Sequence, residues 1–188
     1  MEKIINEVEN AFNILKSGGI ILYPTDTIWG IGCDATNDDA IHRINSLKNR
    51  DPSKPMLSLI NNSNMLDKYL HIKPKFIDNI LKEINSPTTI IYSNPKNISK
   101  LIISKENTVA FRIVKDNFCS KLISRIKKPI VSTSANIHDR KYPVNFKEID
   151  ERILKGVDYI VNLPNKSVSN LPSSIIKVNK EGEMIKLR

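Results

Sequence analysis

Four polar clusters in the 188-residue sequence carry side chains suited to binding anions. They read YPTDTIWGIG at residues 23–32, KNRDPSKP at 48–55, TVAFR at 108–112 and STSAN at 132–136. The first joins a proline stop, paired hydroxyl groups and two glycines. Such a loop lets a ligand approach the backbone closely. An ordinary strand–turn–strand explains the first cluster equally well.

The second cluster places Lys48, Arg50 and Lys54 where a helix runs into a loop that contains Pro52 and Pro55. Because proline fixes its own backbone angle, the loop holds these cations in place. A guanidinium fork beside lysine point charges suits a polyphosphate. A solvated helix end, whose cations complement the helix dipole, is the alternative, and the residues alone favour it.

The third cluster lies within a predicted strand, and the fourth begins at the end of another. Alternation along the third puts Thr108, Ala110 and Arg112 on one face of a half-buried strand. An arginine on a half-buried strand face needs an anionic partner, which is either a protein carboxylate or a ligand carboxylate. The fourth cluster offers hydroxyl and amide groups to a phosphate, a ribose or an amino acid, although a turn or helix cap rich in Ser and Asn is equally open.

The elements that must position these clusters mix helices with strands. Apolar periodicity predicts helices at residues 3–16, 38–48, 73–84, 117–126 and 145–154, and strands at 20–23, 56–60, 88–92, 108–113, 130–133, 157–161, 174–178 and 184–188. Gly18 and Gly19 end the first helix, Asn37 caps the second, and residues 179–182 predict a hairpin turn. This order predicts an α/β fold, an open twisted mixed sheet with flanking helices, in one domain over residues 1–188.

Composition limits the class of protein. The formal charge is +9, from 29 basic and 20 acidic side chains, which favours binding to polyanions or reflects a lysine-rich surface.

The sequence contains no apolar run of about 20 residues, the length that crosses a bilayer. Two cysteines exclude a disulfide framework, and the acidic start is unlike a signal peptide, so we expect a cytoplasmic protein. The three histidines lack metal-ligand spacing, and neither a P-loop nor a GxGxxG motif occurs.

Taken in order, the four clusters resemble the YrdC/Sua5 family, the threonylcarbamoyl-AMP synthases of tRNA modification. The family pattern is YPT[DE]T-aromatic-GLG, K-x-R-P-x-x-x-P, T-[VI]-x-x-R and S-x-N. The resemblance extends over residues 18–188 and implies a YrdC-like fold with a basic concave face, in the short single-domain form.

The resemblance also implies an activity. L-threonine, bicarbonate and ATP, with Mg2+, would give threonylcarbamoyl-adenylate and pyrophosphate, which makes the enzyme a nucleotidyltransferase. A threonylcarbamoyl-transfer complex would then pass the group to N6 of adenosine 37 in tRNA. No membrane partner is expected.

Roles for individual residues follow from the resemblance, position by position. It implies a threonine site formed by Thr27, Arg112, Ser132 and Ser174. It implies an ATP site formed by Lys48, Arg50, Lys54, Thr108, Ser134, Asn136 and Arg188. Within that site, Lys48 and Arg50 would be the catalytic cations, and no residue is expected to ligate a resident metal.

The sequence departs from the family in three places. Residues 137–143 replace the usual Ser-Gly and Ser-Pro-Thr stretch, Leu59 stands where some members carry His, and Asp51 replaces the usual Pro. Two alternatives therefore stay open. One is a noncatalytic YrdC-like module that binds double-stranded RNA or tRNA, and the other is a paralogue with a different acyl or carbamoyl acceptor.

Overall fold

The structure, a computed structural model, describes residues 2–164, 171–178 and 184–187. Six α-helices occur in this part of the chain: α1 (Glu2–Lys16), α2 (Asp38–Lys48), α3 (Leu66–Tyr69), α4 (Ile77–Glu83), α5 (Asn117–Ile126) and α6 (Glu151–Gly156). Short 3-10 helices add Ser63–Met65, Lys100–Ile102 and Phe146–Glu148.

Across the same residues, nine strands form one sheet in the order β7-β1-β2-β6-β3-β5-β4-β8-β9. They are β1 (Ile21–Tyr23), β2 (Gly30–Asp34), β3 (Leu57–Ile60), β4 (Thr88–Ser93), β5 (Thr108–Ile113), β6 (Ile130–Ser134), β7 (Tyr159–Ile160), β8 (Ser174–Val178) and β9 (Met184–Lys186). The pairs β1–β7, β3–β5 and β4–β8 are parallel, and the other neighbours are antiparallel. The expected mixed sheet with flanking helices is confirmed.

Helices cover the two faces of the sheet unequally. On one face, α1 and α5 pack over Tyr23, Leu59 and Ile130. On the other face, α2 and α6 form one core cluster, and α3 and α4 form a second around Phe111. Among the described residues, no other α-helix packs on the first face, and the candidate site lies on it over the centre of the sheet.

Several local predictions are confirmed by hydrogen bonding and backbone geometry. Asn37 caps α2, where its side chain accepts the N–H of Ala40 at 3.0 Å. Gly18 ends α1 with a φ of +82°, which a residue with a side chain rarely adopts. Strands β8 and β9 pair antiparallel, as a hairpin requires, while its turn at 179–182 lies outside the described residues.

Two predicted helices are wrong in extent. The helix expected at 73–84 begins only at Ile77, after a turn in which the N–H of Ile77 bonds the carbonyl of Pro74. The helix expected at 145–154 is two pieces, because Asn145 caps a 3-10 turn and Asp150 caps α6. Strand β2 agrees with the strand–turn–strand alternative for the first cluster, although apolar periodicity alone did not predict it. Among the described residues, no helix is long and apolar enough to cross a membrane.

Gly32 is required by close packing inside the sheet. A Cβ at this position would lie 2.4 Å from the carbonyl oxygen of Val131 and 2.8 Å from Cε1 of Tyr23. We expect Gly32→Ala to lower the free energy of unfolding by about 1–3 kcal/mol, as overpacking does. Urea unfolding followed by circular dichroism measures this. Ser46→Ala on the exposed face of α2 is the control, and equal stability of both variants would contradict the packing argument.

Candidate ligand-binding cavity

A cavity of about 490 Å³ lies on the open face of the sheet. Cross-strand pairing builds its floor, because residues directly opposite each other point to the same side. Leu57 pairs with both Ser132 and Ala110, and Arg112 pairs with Thr89. Among the described residues, the lining consists of Thr25, Thr27, Ile28, Trp29, Gly30, Arg50, Pro55, Met56, Leu57, Thr89, Ile91, Ala110, Arg112, Ser132, Thr133, Ser134, Tyr142, Pro172, Ser173 and Ile175.

The loop after β1 is fixed by two buried threonines. The hydroxyl of Thr25 donates to the carbonyl of Ile28 at 2.8 Å and accepts the backbone N–H of Thr27 at 3.0 Å. Since a hydroxyl has a single hydrogen, the hydrogen in the 2.9 Å contact between the two side chains comes from Thr27. The oxygen of Thr27 is thereby held as an acceptor on the cavity wall.

Arg112 lines the cavity and is only 3% exposed. Its Nη1 donates to the oxygen of Thr27 at 3.2 Å, and its Nη2 lies 3.0 Å from a carboxylate oxygen of Asp26. The anionic partner that the sequence required is therefore a protein carboxylate. Within the described part of the chain, Nε of Arg112 has no hydrogen-bond partner.

A second pair of hydroxyls lies beside this guanidinium. Thr89 and Ser173 are both buried, and their side-chain oxygens are 2.8 Å apart. Because strand residues alternate between faces, Ser173 and Ile175 line the cavity while Ser174, the expected threonine-site residue, does not. The alternation around Ile175 is the sequence signal that identifies Ser173.

Arg50 lies at another part of the cavity wall. Its Nη2 donates to the carbonyls of Pro55 at 3.0 Å and Lys54 at 3.3 Å, so the proline-rich loop holds the guanidinium in place. Burial lowers the pKa of Arg50 from its ordinary value. Ser134 lines the same cavity. Among the described lining residues, the only charged side chains are Arg50 and Arg112, so the lining is positively charged.

Lys48 is buried beneath the loop that follows β6 rather than on the cavity wall. Its ammonium donates to the carbonyls of Ser134 and Asn136, and the N–H of His138 bonds the carbonyl of Lys48 at 2.8 Å. Burial, with Arg50 nearby, lowers the pKa of Lys48 from 10.5 to about 7. The contacts assign Lys48 the role of holding this loop against α2.

The structure brings together five of the expected site residues around one cavity: Thr27, Arg50, Arg112, Ser132 and Ser134. The others lie elsewhere. Lys54 contacts Nε2 of His138 at 2.8 Å, Thr108 contacts the hydroxyl of Ser104 at 2.7 Å, and Asn136 bonds the carbonyl of Arg140. Arg188 lies outside the described residues.

Thr89 and Tyr142 line the cavity but were not expected there. Thr89 is recognisable only from the register, which sets it opposite Arg112. Tyr142 lies in the stretch that departs from the family pattern, so no signal in the sequence identifies it.

Among the described residues, no three His, Cys, Asp or Glu side chains lie close enough together to hold a metal ion, and the described lining of the cavity contains no carboxylate.

Comparison with known proteins adds a family match. The model of the Sua5/YciO/YrdC family, described as "Telomere recombination", matches residues 13–188. A threonylcarbamoyl-AMP synthase from Psychromonas ingrahamii is 32% identical over 169 residues, which cover 87% of this chain and 88% of that relative.

Solved structures share the fold. P. abyssi Sua5 complexed with L-threonine superposes with a TM-score of 0.86 at 23% identity, and the match covers 96% of this chain but 53% of that one. The chain thus spans about half the length of that protein. E. coli YciO superposes with a TM-score of 0.82 at 20% identity, over 96% of this chain and 87% of YciO.

The lowered pKa of Lys48 makes stability depend on pH. Between about pH 7 and 10.5 the unfolded chain holds a proton on Lys48 that the folded protein has released, so stability rises with pH. We expect the free energy of unfolding to gain up to about 1.4 kcal/mol per pH unit from this group. Lys48→Met should lose this gain.

Urea unfolding at a series of pH values measures that slope. Lys121→Met, which removes an exposed lysine from α5, is the matched control and should keep the slope of the unmodified protein. Identical slopes for Lys48→Met and the unmodified protein would show that Lys48 does not titrate in this range.

Proposed function

Because the chain belongs to the Sua5/YciO/YrdC family, we propose that it is a threonylcarbamoyl-AMP synthase. It uses L-threonine, bicarbonate and ATP, and it releases pyrophosphate. The observation that carries the proposal is the single cavity that has Arg112 and Thr27 in its lining together with Arg50 and Ser134. The carboxylate of threonine and the phosphates of ATP can meet there, each beside its own guanidinium.

Threonine binds at the Arg112 end. Its carboxylate accepts hydrogen bonds from the guanidinium, which is the side chain best shaped for a carboxylate. The hydroxyls of Thr27 and Ser132 lie on the same cavity wall and bind the polar groups of the amino acid. Ser173, rather than Ser174, supplies the hydroxyl from the C-terminal part of the chain.

ATP binds at the Arg50 end. Arg50 contacts the phosphates, Ser134 hydrogen-bonds to them, and Lys54 adds charge from the proline-rich loop. Lys48 holds the loop after β6 through the carbonyls of Ser134 and Asn136 and so sets the position of Ser134. In this assignment Arg50 is a catalytic residue, and Lys48 is a positioning residue.

The reaction needs no covalent intermediate with the protein. The amine of threonine adds to CO2 with loss of a proton, or reacts with bicarbonate with loss of water, and the carbamate oxygen then attacks the α-phosphorus of ATP. The bond to the β-phosphate oxygen breaks, and pyrophosphate leaves. The cavity accelerates this step by holding two anions in contact and by neutralising the charge that develops on the leaving group.

The adenylate is then consumed outside this cavity. A threonylcarbamoyl-transfer complex passes the threonylcarbamoyl group to N6 of adenosine 37 in tRNA, and the chain works in the cytoplasm. Two features support this placement: relatives that carry the synthase name, and the absence of a membrane-crossing helix among the described residues.

The assay is threonine-dependent release of pyrophosphate. Purified protein, ATP with Mg2+ and bicarbonate should release pyrophosphate when L-threonine is added, and omission of bicarbonate should abolish the release. Serine in place of threonine tests for a paralogue with another acceptor. No release, under conditions in which an active synthase releases pyrophosphate, would refute the proposal. Steeply salt-dependent tRNA binding without ATP would then favour the RNA-binding module.

Two arginine variants test the assignment of the two ends. We expect Arg112→Ala to raise the KM for threonine about tenfold to a hundredfold, the loss expected for a charged hydrogen bond. Arg50→Ala should mainly raise the KM for ATP or lower kcat. Steady-state kinetics with each substrate varied separately measures both. Arg152→Ala at an exposed ion pair is the control, and equal small effects from Arg50→Ala and Arg112→Ala would contradict the assignment.

A further inference from the structure

Asp26 contacts the guanidinium that the proposed function places on the substrate carboxylate. One of its oxygens lies 3.0 Å from Nη2 of Arg112, and the two side chains are only 13% and 4% exposed. In such a place an ion pair is weakly screened, and removal of one member leaves an uncompensated charge. The orientation of Arg112 therefore depends on Asp26.

The loop that carries Asp26 is fixed by the residues on either side of it. Thr25 and Thr27 are both buried, and their hydroxyls bond to each other at 2.9 Å on either side of Asp26. Thr27 also accepts from Nη1 of Arg112. The loop thus places a hydroxyl acceptor on Nη1 and a carboxylate charge beside Nη2 of one guanidinium.

We propose that Asp26 is a positioning residue for amino-acid binding, and this inference rests on the proposed function. Its carboxylate orients the Arg112 guanidinium so that the remaining N–H groups are directed at the carboxylate of threonine. A guanidinium has five N–H donors. The contacts with Asp26 and Thr27 give Nη2 and Nη1 one partner each, and each of these nitrogens has a second hydrogen. Donors therefore remain for a ligand.

Asp116 is the other carboxylate that faces Arg112. One of its oxygens accepts the N–H of Cys119 at 2.7 Å as the cap of α5, and burial raises the pKa of Asp116. A carboxyl group committed to a helix cap and more easily protonated is a weak counter-ion. Asp116 therefore does not replace Asp26.

Asp26 also has an opposing effect, because its charge repels a substrate carboxylate. Threonine, however, enters as a zwitterion with no net charge, so the repulsion is largely balanced by attraction of its ammonium group. The long side chain of Arg112 otherwise samples many rotamers, so a guanidinium already held in place loses less entropy when threonine binds. This gain in binding free energy is larger than the repulsion between Asp26 and the substrate carboxylate. Removal of the Asp26 charge should accordingly weaken threonine binding.

The first test compares Asp26→Asn with Asp26→Glu by pyrophosphate release. Asp26→Asn keeps the shape but removes the charge, and we expect the KM for threonine to rise about tenfold, a change that corresponds to about 1.4 kcal/mol. Both kcat and the KM for ATP should stay within twofold, because threonine is held equally in the ground state and the transition state. Asp26→Glu should recover most of the affinity.

The matched control is Asp158→Asn. Asp158 pairs with Arg43 at 2.9 Å, and neither residue lines the cavity. This variant should leave the KM for threonine unchanged. A purely structural role for Asp26 would lower the yield of folded protein or kcat, whereas a positioning role changes the threonine KM alone.

The second test is chemical rescue of Arg112→Ala by millimolar guanidinium, with potassium chloride as the ionic control. Asp26 and Thr27 should hold the added cation, so threonine-dependent activity should rise severalfold. In the double variant Asp26→Asn/Arg112→Ala the rescue should be lost. The single-variant rescue needs no substitution at Asp26, so it remains decisive even where Asp26→Asn fails to fold.

The outcomes separate this inference from the proposed function. An unmodified protein that binds no threonine in calorimetry overturns the proposed function, and this inference with it. An unmodified protein that binds threonine no more tightly than Asp26→Asn overturns the inference alone. Failure of guanidinium to rescue Arg112→Ala, or equal rescue with and without Asp26, also overturns it.

Discussion

Arg112 lies in β5, near the middle of the sheet, and its guanidinium is almost entirely excluded from water. A charge in that position is costly unless it is paired and hydrogen-bonded. Asp26 supplies the pairing and Thr27 the hydrogen bond, and both come from a loop that the hydroxyl of Thr25 closes. Strand, loop and cavity are therefore coupled, because a change in any of them alters the same guanidinium.

The register of the sheet determines what else surrounds this group. Thr89 lies opposite Arg112, and the row beside it brings Ser132, Leu57 and Ala110 together from three strands. Arg50 reaches the same cavity from the end of α2 because the loop carbonyls at 54 and 55 hold its guanidinium. The cavity is thus built mainly by the sheet, with a second cation added by one loop.

Much of this arrangement could be predicted from the sequence where a local rule applied. Strand alternation identified the face of Arg112, and Asn37 marked the start of α2. The sequence left a loop and a strand equally open at β2, because Gly30 and Gly32 are typical of a loop, whereas here they allow β6 and Tyr23 to approach closely. Lys48 matches the family motif, but its burial beneath the β6 loop depends on contacts between residues 86 and 88 positions apart. No local pattern predicts such contacts.

The most direct test of a two-ended cavity is a crystal structure with L-threonine and a non-hydrolysable ATP analogue bound together. We expect a carboxylate oxygen of threonine about 3 Å from the Arg112 guanidinium, the usual distance of a charged hydrogen bond. The contact between Asp26 and Arg112 should persist, and the phosphates should lie beside Arg50. Threonine bound away from Arg112, or phosphates bound away from Arg50, would contradict the proposed two-ended cavity.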